Sequence, residues 1–379
     1  MPAAWIEKHA ERLAARAERD VEALVAVSSP SGDAAAAEEV VAVAAALAPA
    51  EADLERIECS SSGHAPDLLV RLAGPGARRI LLLGHLDTVV AHGAHVPARR
   101  AGALLYGSGT LDMKGGVAIA LGLMHALRDR PEVGEVALLL VNDEEWRTVP
   151  FAHASRFAGF DACLCFEAGE RDARGREAVV VRRKAAGAIR VTAHGRAAHS
   201  GAAPDAGVSA LLALADVARL VAGLSDPGGA DRLTAVPTIL RSGESLNVVP
   251  AAGELVCDVR ADSVEVLRRV RAAIPERIGK ARIEAVLERE WPGMDARSAV
   301  APILDHAGEA LGRPVVAADR GGASDASHFA TVIEATIDGL GPIGEHSHHP
   351  DEHIDLGTLA ARSEVALAVA DAVLRRGFP

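Results

Sequence analysis

Residues 81–90 read LLLGHLDTVV, an apolar run that stops at a glycine and is followed at once by His85 and Asp87. Such a run, with polar side chains appearing only at its C-terminal end, is the pattern of a strand buried in a parallel sheet. Sheets of that kind place their ligand-binding loops at those ends. In extended backbone, residues two apart point the same way, so Asp87 can bond the far imidazole nitrogen of His85 while the near one faces a ligand. Taken alone, the pair fits a structural histidine as well.

Working outward, the runs 136–141 and 162–166 read as further buried strands, 67–73 and 79–84 as strands with a Gly-Pro-Gly turn between them, and 34–48 and 115–127 as helices. That order predicts a largely parallel α/β sheet. From about Gly187 the pattern changes to strand 187–193, helix 207–222, strands 233–241 and 253–260, helix 264–274 and strand 281–288. This βαββαβ order is a split βαβ unit of ferredoxin-like type. After Trp291 and Pro292, helix and strand alternate again. We therefore expect a doubly wound α/β catalytic domain from residues 1–183 and 294–379, with an α+β domain inserted at 184–293. Two domains suit 379 residues, because a single core stops growing near ~250–300.

With 49% apolar and 24% charged residues the chain can bury sizeable cores, and its net charge of −12 argues against a nucleic-acid surface. A small-molecule substrate is the expected partner. No stretch offers the ~18 charge-free apolar residues of a membrane span, and the first twenty residues lack the apolar core of a signal peptide. Cys59, Cys163, Cys165 and Cys257 form no disulfide framework. A cytoplasmic location follows as an expectation.

Several segments carry chemistry. YGSGTLDMKGG (106–116) puts Asp112 in a glycine-rich loop ahead of a helix whose positive end favours a carboxylate; helix capping would explain the aspartate but not Lys114 or the glycines. VNDEEW ends a strand with Asp143, Glu144 and Glu145, which repel one another unless cations or protons intervene, though a solvated acidic turn reads the same way. FEAGE places Glu167 at the next strand end. GEHSHHPDEH crowds His346, His348, His349 and His353 into a short stretch, a density that suits metal sites. Together these supply nitrogen and carboxylate ligands fitted to zinc, with cobalt or manganese as substitutes.

The ordered set GHLDTV, YGSGTLDMKGG, DEE, FE, GRAAHSGAAPDAGVSA, NVVP, DVR, GGASDA and H-x-x-x-E resembles the di-zinc amidohydrolase and peptidase family of aminoacylase, acetylornithine deacetylase and carboxypeptidase G, nearest the glutamate carboxypeptidase type. The resemblance implies two divalent metals per subunit, with Asp112 bridging, His85 and Glu167 on one, and Glu145 and His348 on the other. His349 is the rival to His348, which has the H-x-x-x-E spacing to Glu352. It further implies a cis Asp112–Met113 peptide, Asp87 supporting a ligand, and Glu144 as general base for a water held between the metals. His199 would stabilise the oxyanion from across a homodimer formed by the inserted lid. Asn247, Arg260, Gly321 and Gly322 would bind the substrate's carboxylate end. Without the family, His199 reads as a surface histidine, Asn247 as a turn residue and Arg260 as a strand-end charge. The activity implied is hydrolysis of an N-acyl amino acid or dipeptide; an aminopeptidase and an inactive metal-binding homologue are the alternatives. One departure stands out: bulky Trp146, Arg147, Thr148, Val149 and Pro150 follow Glu145, where the family has small residues.

Overall fold

The computed structural model describes residues 4–375. Its largest sheet has the strand order Asp53–Ile57, Asp67–Ala73, Val133–Val141, Arg78–His85, Ala162–Cys165, Thr336–Ile337. The last four run parallel, as the apolar runs predict, but the first two are antiparallel, so the sheet is mixed. Gly74-Pro75-Gly76 does not join paired strands either. Val133–Val141 lies between them, and the loop crosses its start so closely that a Cβ on Gly74 or Gly76 would fall 2.3 Å or 2.1 Å from the carbonyls of Val133 and Glu132. These glycines serve a backbone crossing.

Helices cover this sheet where the sequence periodicity places them. Ala34–Leu47 is capped by Asp33, whose side chain accepts from the Ala36 amide. Ala4–Val25 buries Ile6, Ala10, Leu13, Ala17, Val21 and Leu24, one stripe at helical spacing. Gly115–Leu127 is buried on nearly every side. A Cβ on Gly116 would lie 1.8 Å from the Phe166 carbonyl, so only glycine lets this helix approach the strand end that carries Glu167.

Residues Ala185–His194, Ala210–Gly223, Thr234–Ser242, Ala252–Ala261, Val264–Ala273 and Ala281–Trp291 follow the βαββαβ order. Their sheet is antiparallel throughout and, with Arg277–Ile278 at one edge, has five strands. Ile189, Val191, Leu214, Val217, Leu255, Val259, Leu267 and Ile283 form a core separate from the larger one. The molecule is thus an α/β catalytic unit with an α+β lid. Among the described residues no helix is long and apolar enough to cross a membrane.

Candidate active site

Three adjacent parallel strands deliver polar residues to one edge of the main sheet: His85 ends Arg78–His85, Glu144 and Glu145 follow Val133–Val141, and Glu167 follows Ala162–Cys165. Asp112 reaches the same place from the glycine-rich loop, where the Asp112–Met113 peptide is cis. His85 Nε2 stands 3.2 Å from Asp112 Oδ1 and 3.8 Å from Glu167 Oε1. On the other side, His348 Nε2 lies 3.0 Å from Asp112 Oδ2 and 3.3 Å from Glu145 Oε1. Each trio offers ligand atoms within 4.8 Å of one another, and Asp112 belongs to both. His349 is outside them; its Nδ1 accepts from the Asp351 amide.

Other contacts hold these side chains in place. His85 Nδ1 is 3.0 Å from the Asp87 carbonyl and 3.4 Å from its carboxylate, so the backbone oxygen is the nearer partner. That carboxylate accepts from the amides of Glu144 and Glu145, each at 3.2 Å, which ties the acidic turn to the histidine strand. Glu352 accepts from the amides of Gly109, Leu111 and Asp112 at 2.8–3.0 Å and so clamps the loop that presents Asp112. The H-x-x-x-E spacing pointed to Glu352 but gave it no role. Lys114 is wholly buried, donates to the Val27 carbonyl at 2.7 Å, and is pulled down to about 7 by burial.

Electrostatics at the centre favour cations. Burial pushes Glu144 well above the usual carboxylate range and raises Glu145, against the opposing pull of the histidines. Burial, with the charge of Asp112, lifts Glu167 to about 8. The carboxylates of Asp112 and Glu145, 3.0 Å and 3.3 Å from its Nε2, raise His348 to about 10. Glu145 Oε1 is buried and, beyond the 3.3 Å approach of His348, makes no hydrogen bond among the described residues. Crowded carboxylates that must otherwise hold protons, two histidine nitrogens and an orphaned oxygen are a donor set suited to divalent metal.

The bulky segment after Glu145 divides into two roles. Trp146 is 56% exposed and lies against Gly32, while Arg147 turns inward and is 1% exposed. Arg147 donates to Asp143 at 3.1 Å and to Asp325 at 2.6 Å, and its guanidinium stacks over Phe151 and Trp291. Burial alone would weaken its charge, but Asp325 and Asp143 more than reverse that, so its pKa rises. The segment therefore braces the acidic turn against the GGASDA loop. No feature of sequence spacing pairs Arg147 with Asp325.

None of the lid residues belongs to the metal-ligand trios. His199 and Asn247 are exposed on adjoining loops, joined by a bridge between His199 and Val248 and by the Ser200 amide donating to the Asn247 carbonyl. His199 Nδ1 accepts from the amides of Gly201 and Ala202, both at 3.1 Å, which leaves its proton on the outward Nε2. Arg260 donates to Asp258 at 3.1 Å and to the Gly321 carbonyl at 3.3 Å, so it meets the glycine pair. The Gly322 carbonyl accepts from Arg183.

The profile of peptidase family M20/M25/M40 matches residues 81–372. Carboxypeptidase G2 from a Pseudomonas species is 28% identical over 79% of this chain and 75% of its own length. Succinyl-diaminopimelate desuccinylase from Gluconobacter oxydans is 30% identical over 80% of this chain and 83% of its own. The aminopeptidase PepT from Bacillus cereus shares the fold, with a TM-score of 0.77 at 21% identity over 95% of this chain and 98% of that one. A match of this extent, joined to the two ligand groups that share Asp112, makes the chain a member of peptidase family M20/M25/M40 and a metal-dependent hydrolase of amide bonds.

Proposed function

We propose that the enzyme hydrolyses the amide bond of an N-acyl amino acid or dipeptide that keeps a free carboxylate on the amine side. The observation that carries this reading is Asp112 shared between two ligand groups with Glu144 belonging to neither. His85 and Glu167 would hold one divalent ion, Glu145 and His348 the other, and zinc suits the mixed nitrogen and carboxylate set, with cobalt or manganese as substitutes. Bound there, the pair of ions would supply Lewis acidity, making a shared water acidic and polarising the carbonyl.

The chain's own residues supply the rest. Glu144, half-buried beside His85, Glu145 and Glu167, would take the water's proton and return it to the leaving nitrogen. Asp87 keeps His85 and the acidic turn in register through the contacts described above. The outward Nε2–H of His199 is a donor for the oxyanion, and its exposure on a lid loop supports delivery into the site of a second copy. In this reading the lid, residues 184–293, is also the homodimer contact, and the parts 1–183 and 294–379 form the catalytic domain. Arg260, Asn247 and the backbone at Gly321 and Gly322 would take the carboxylate. Arginine grips such a group with paired hydrogen bonds. Four free, buried cysteines suit a reducing cytoplasm.

The test is kcat/KM of metal-loaded enzyme on N-acyl amino acids and dipeptides beside their carboxamides. A strong preference for the free acid is expected, and Arg260→Ala should cost ~2–4 kcal/mol on the acid while barely touching the amide. Equal rates on acid and amide would overturn the reading.

A further inference from the structure

The helix Ala4–Val25 sorts its charges onto two flanks. At about 100° per residue, Lys8, Arg12, Arg16 and Arg19 fall within about 80° of one another, while Glu7, Glu11, Glu18 and Glu22 fall within about 60° on the other side of the outward face. On the acidic flank Glu18 pairs with Arg100, and Glu7, Glu11 and Glu22 are exposed. The basic flank faces a groove.

The opposite wall of that groove is the end of Gly115–Leu127 and the residues after it, from Gly122 to Arg130. The two helices touch near its floor, where a Cβ on Gly122 would fall 2.9 Å from Leu13 Cγ, so the walls stand close together. The groove encloses about 570 Å³ and is lined by the four cations of the basic flank with Arg128 and Arg130, against one acid, Asp129. In a chain of net charge −12 this is a local reversal of sign.

Half of these cations are engaged within the fold. Arg16 donates to Asp20 at 3.0 Å and to the Leu47 carbonyl at 2.8 Å, at the C-terminal end of Ala34–Leu47. Arg128 pairs with Glu51 and Asp129, and Arg130 pairs with Glu132 and Asp371 while its guanidinium lies 4.5 Å from the centre of the Trp5 ring. Lys8, Arg12 and Arg19 are exposed and form no ion pair among the described residues. They share one flank, where like charges repel. The fold thus sets three repelling charges along one cavity without a counter-charge, and an anion in the groove would supply it.

Spacing selects the anion. Along the helix axis Arg12 stands about 6 Å from Lys8 and about 10 Å from Arg19. A single sulfate can meet one of these cations or two neighbours, whereas a chain of phosphates carries a charge every few ångströms and reaches all three. A long nucleic acid suits the surface less, because the acidic flank beside the groove would repel the rest of the strand.

We propose that this groove binds a short oligophosphate chain, at the end of Gly115–Leu127 that lies roughly 18 Å of helix from the Asp112 loop. The site does not rest on the substrate reading above. Titration calorimetry of the full-length, metal-loaded enzyme with tripolyphosphate tests it. One equivalent should bind, and more weakly as salt rises, because exposed charges are screened. The triple variant Lys8→Ala, Arg12→Ala, Arg19→Ala should bind about tenfold or more weakly, the scale of three exposed ion pairs lost together. A second triple variant, Arg174→Ala, Arg277→Ala, Lys280→Ala, removes the same charge from exposed positions elsewhere and should bind like the parent. ATP should match tripolyphosphate, and adenosine should not bind. Absence of binding to the parent, or an equal loss in both variants, would overturn the site. Unchanged affinity in the first variant would put the anion elsewhere, the metal centre included, and overturn it equally. Binding of adenosine would make a nucleoside the recognised part and overturn the ligand class.

Discussion

The proposed metal centre and the catalytic face of the lid are built in opposite ways. At the sheet edge the ligand segments are tied to one another within the chain: Asp87 to the Glu144 and Glu145 amides, Glu352 to the Asp112 loop, and His85 and His348 to Asp112. On the lid, His199 and Asn247 are exposed, and the buried Arg289 Nε has no hydrogen-bond partner among the described residues. The first arrangement is one the fold fixes by itself. In our reading the second gains its partners only when substrate and a second copy arrive. Preorganised ligands suit ions that must bind in one geometry, whereas loosely held recognition groups can close over a substrate and release its products.

The largest effect should come from the buried side. Glu144→Gln removes the base while leaving the residues of both ligand groups in place, so bound metal should persist and turnover should fall by ~10²–10⁴-fold or more. Metal content by elemental analysis beside kcat decides this. Near-normal turnover at full metal loading would move the proton transfer to another residue and erase the contrast between the two regions at its sharpest point.

A somewhat smaller loss is expected on the lid. His199→Ala should reduce kcat by ~10²–10³-fold, the usual scale for one oxyanion donor. Because the loop is exposed, the informative measurement is complementation. Mixed dimers of His199→Ala and Glu144→Gln chains should recover activity, since one composite site then holds both residues. Absence of recovery in dimers verified by mass would confine His199 to its own chain and make the lid face as self-contained as the metal centre.

The same contrast explains what was legible in the sequence. The candidate ligands could be grouped because each ends an apolar run or sits in a glycine-rich or histidine-dense segment, all local signals. The lid elements were readable for the same reason, and their ends shifted by at most about three residues, as expected of frayed termini. Pairing was not readable. The Gly-Pro-Gly segment looks like a turn between neighbours, yet Val133–Val141 comes between them, because register depends on residues far away in the chain. Arg147 read only as bulk beside the acidic pair, because its partner Asp325 is 178 residues further on. Arg289 pairs with Ala188 only because Glu288 is one extra residue in its strand, which alternation of side chains cannot reveal.

The smallest effect should come from Glu352, and it probes how far the preorganisation of the metal centre depends on contacts behind the ligands. Glu352 is 2% exposed, and its carboxylate has oxygens to spare for three amides: Oε1 receives Leu111 and Asp112, and Oε2 receives Gly109. Burial raises its pKa, and these three bonds act against that by favouring the ionised form. Glu352→Gln keeps the shape but replaces one oxygen with an NH₂ group, so a donor must face a donor at Gly109 or at the other two amides. The loop can relieve this only by moving, and Asp112 moves with it. Because Asp112 is shared by both ligand groups, we expect the second metal equivalent to bind ~10–100-fold more weakly, the usual scale for losing a supporting contact. Competition against a chelator measures this directly, and excess metal should restore turnover in Glu352→Gln but not in Glu144→Gln. Unchanged affinity for both equivalents would mean that the three bonds from Glu352 support the loop's stability without setting the geometry of Asp112.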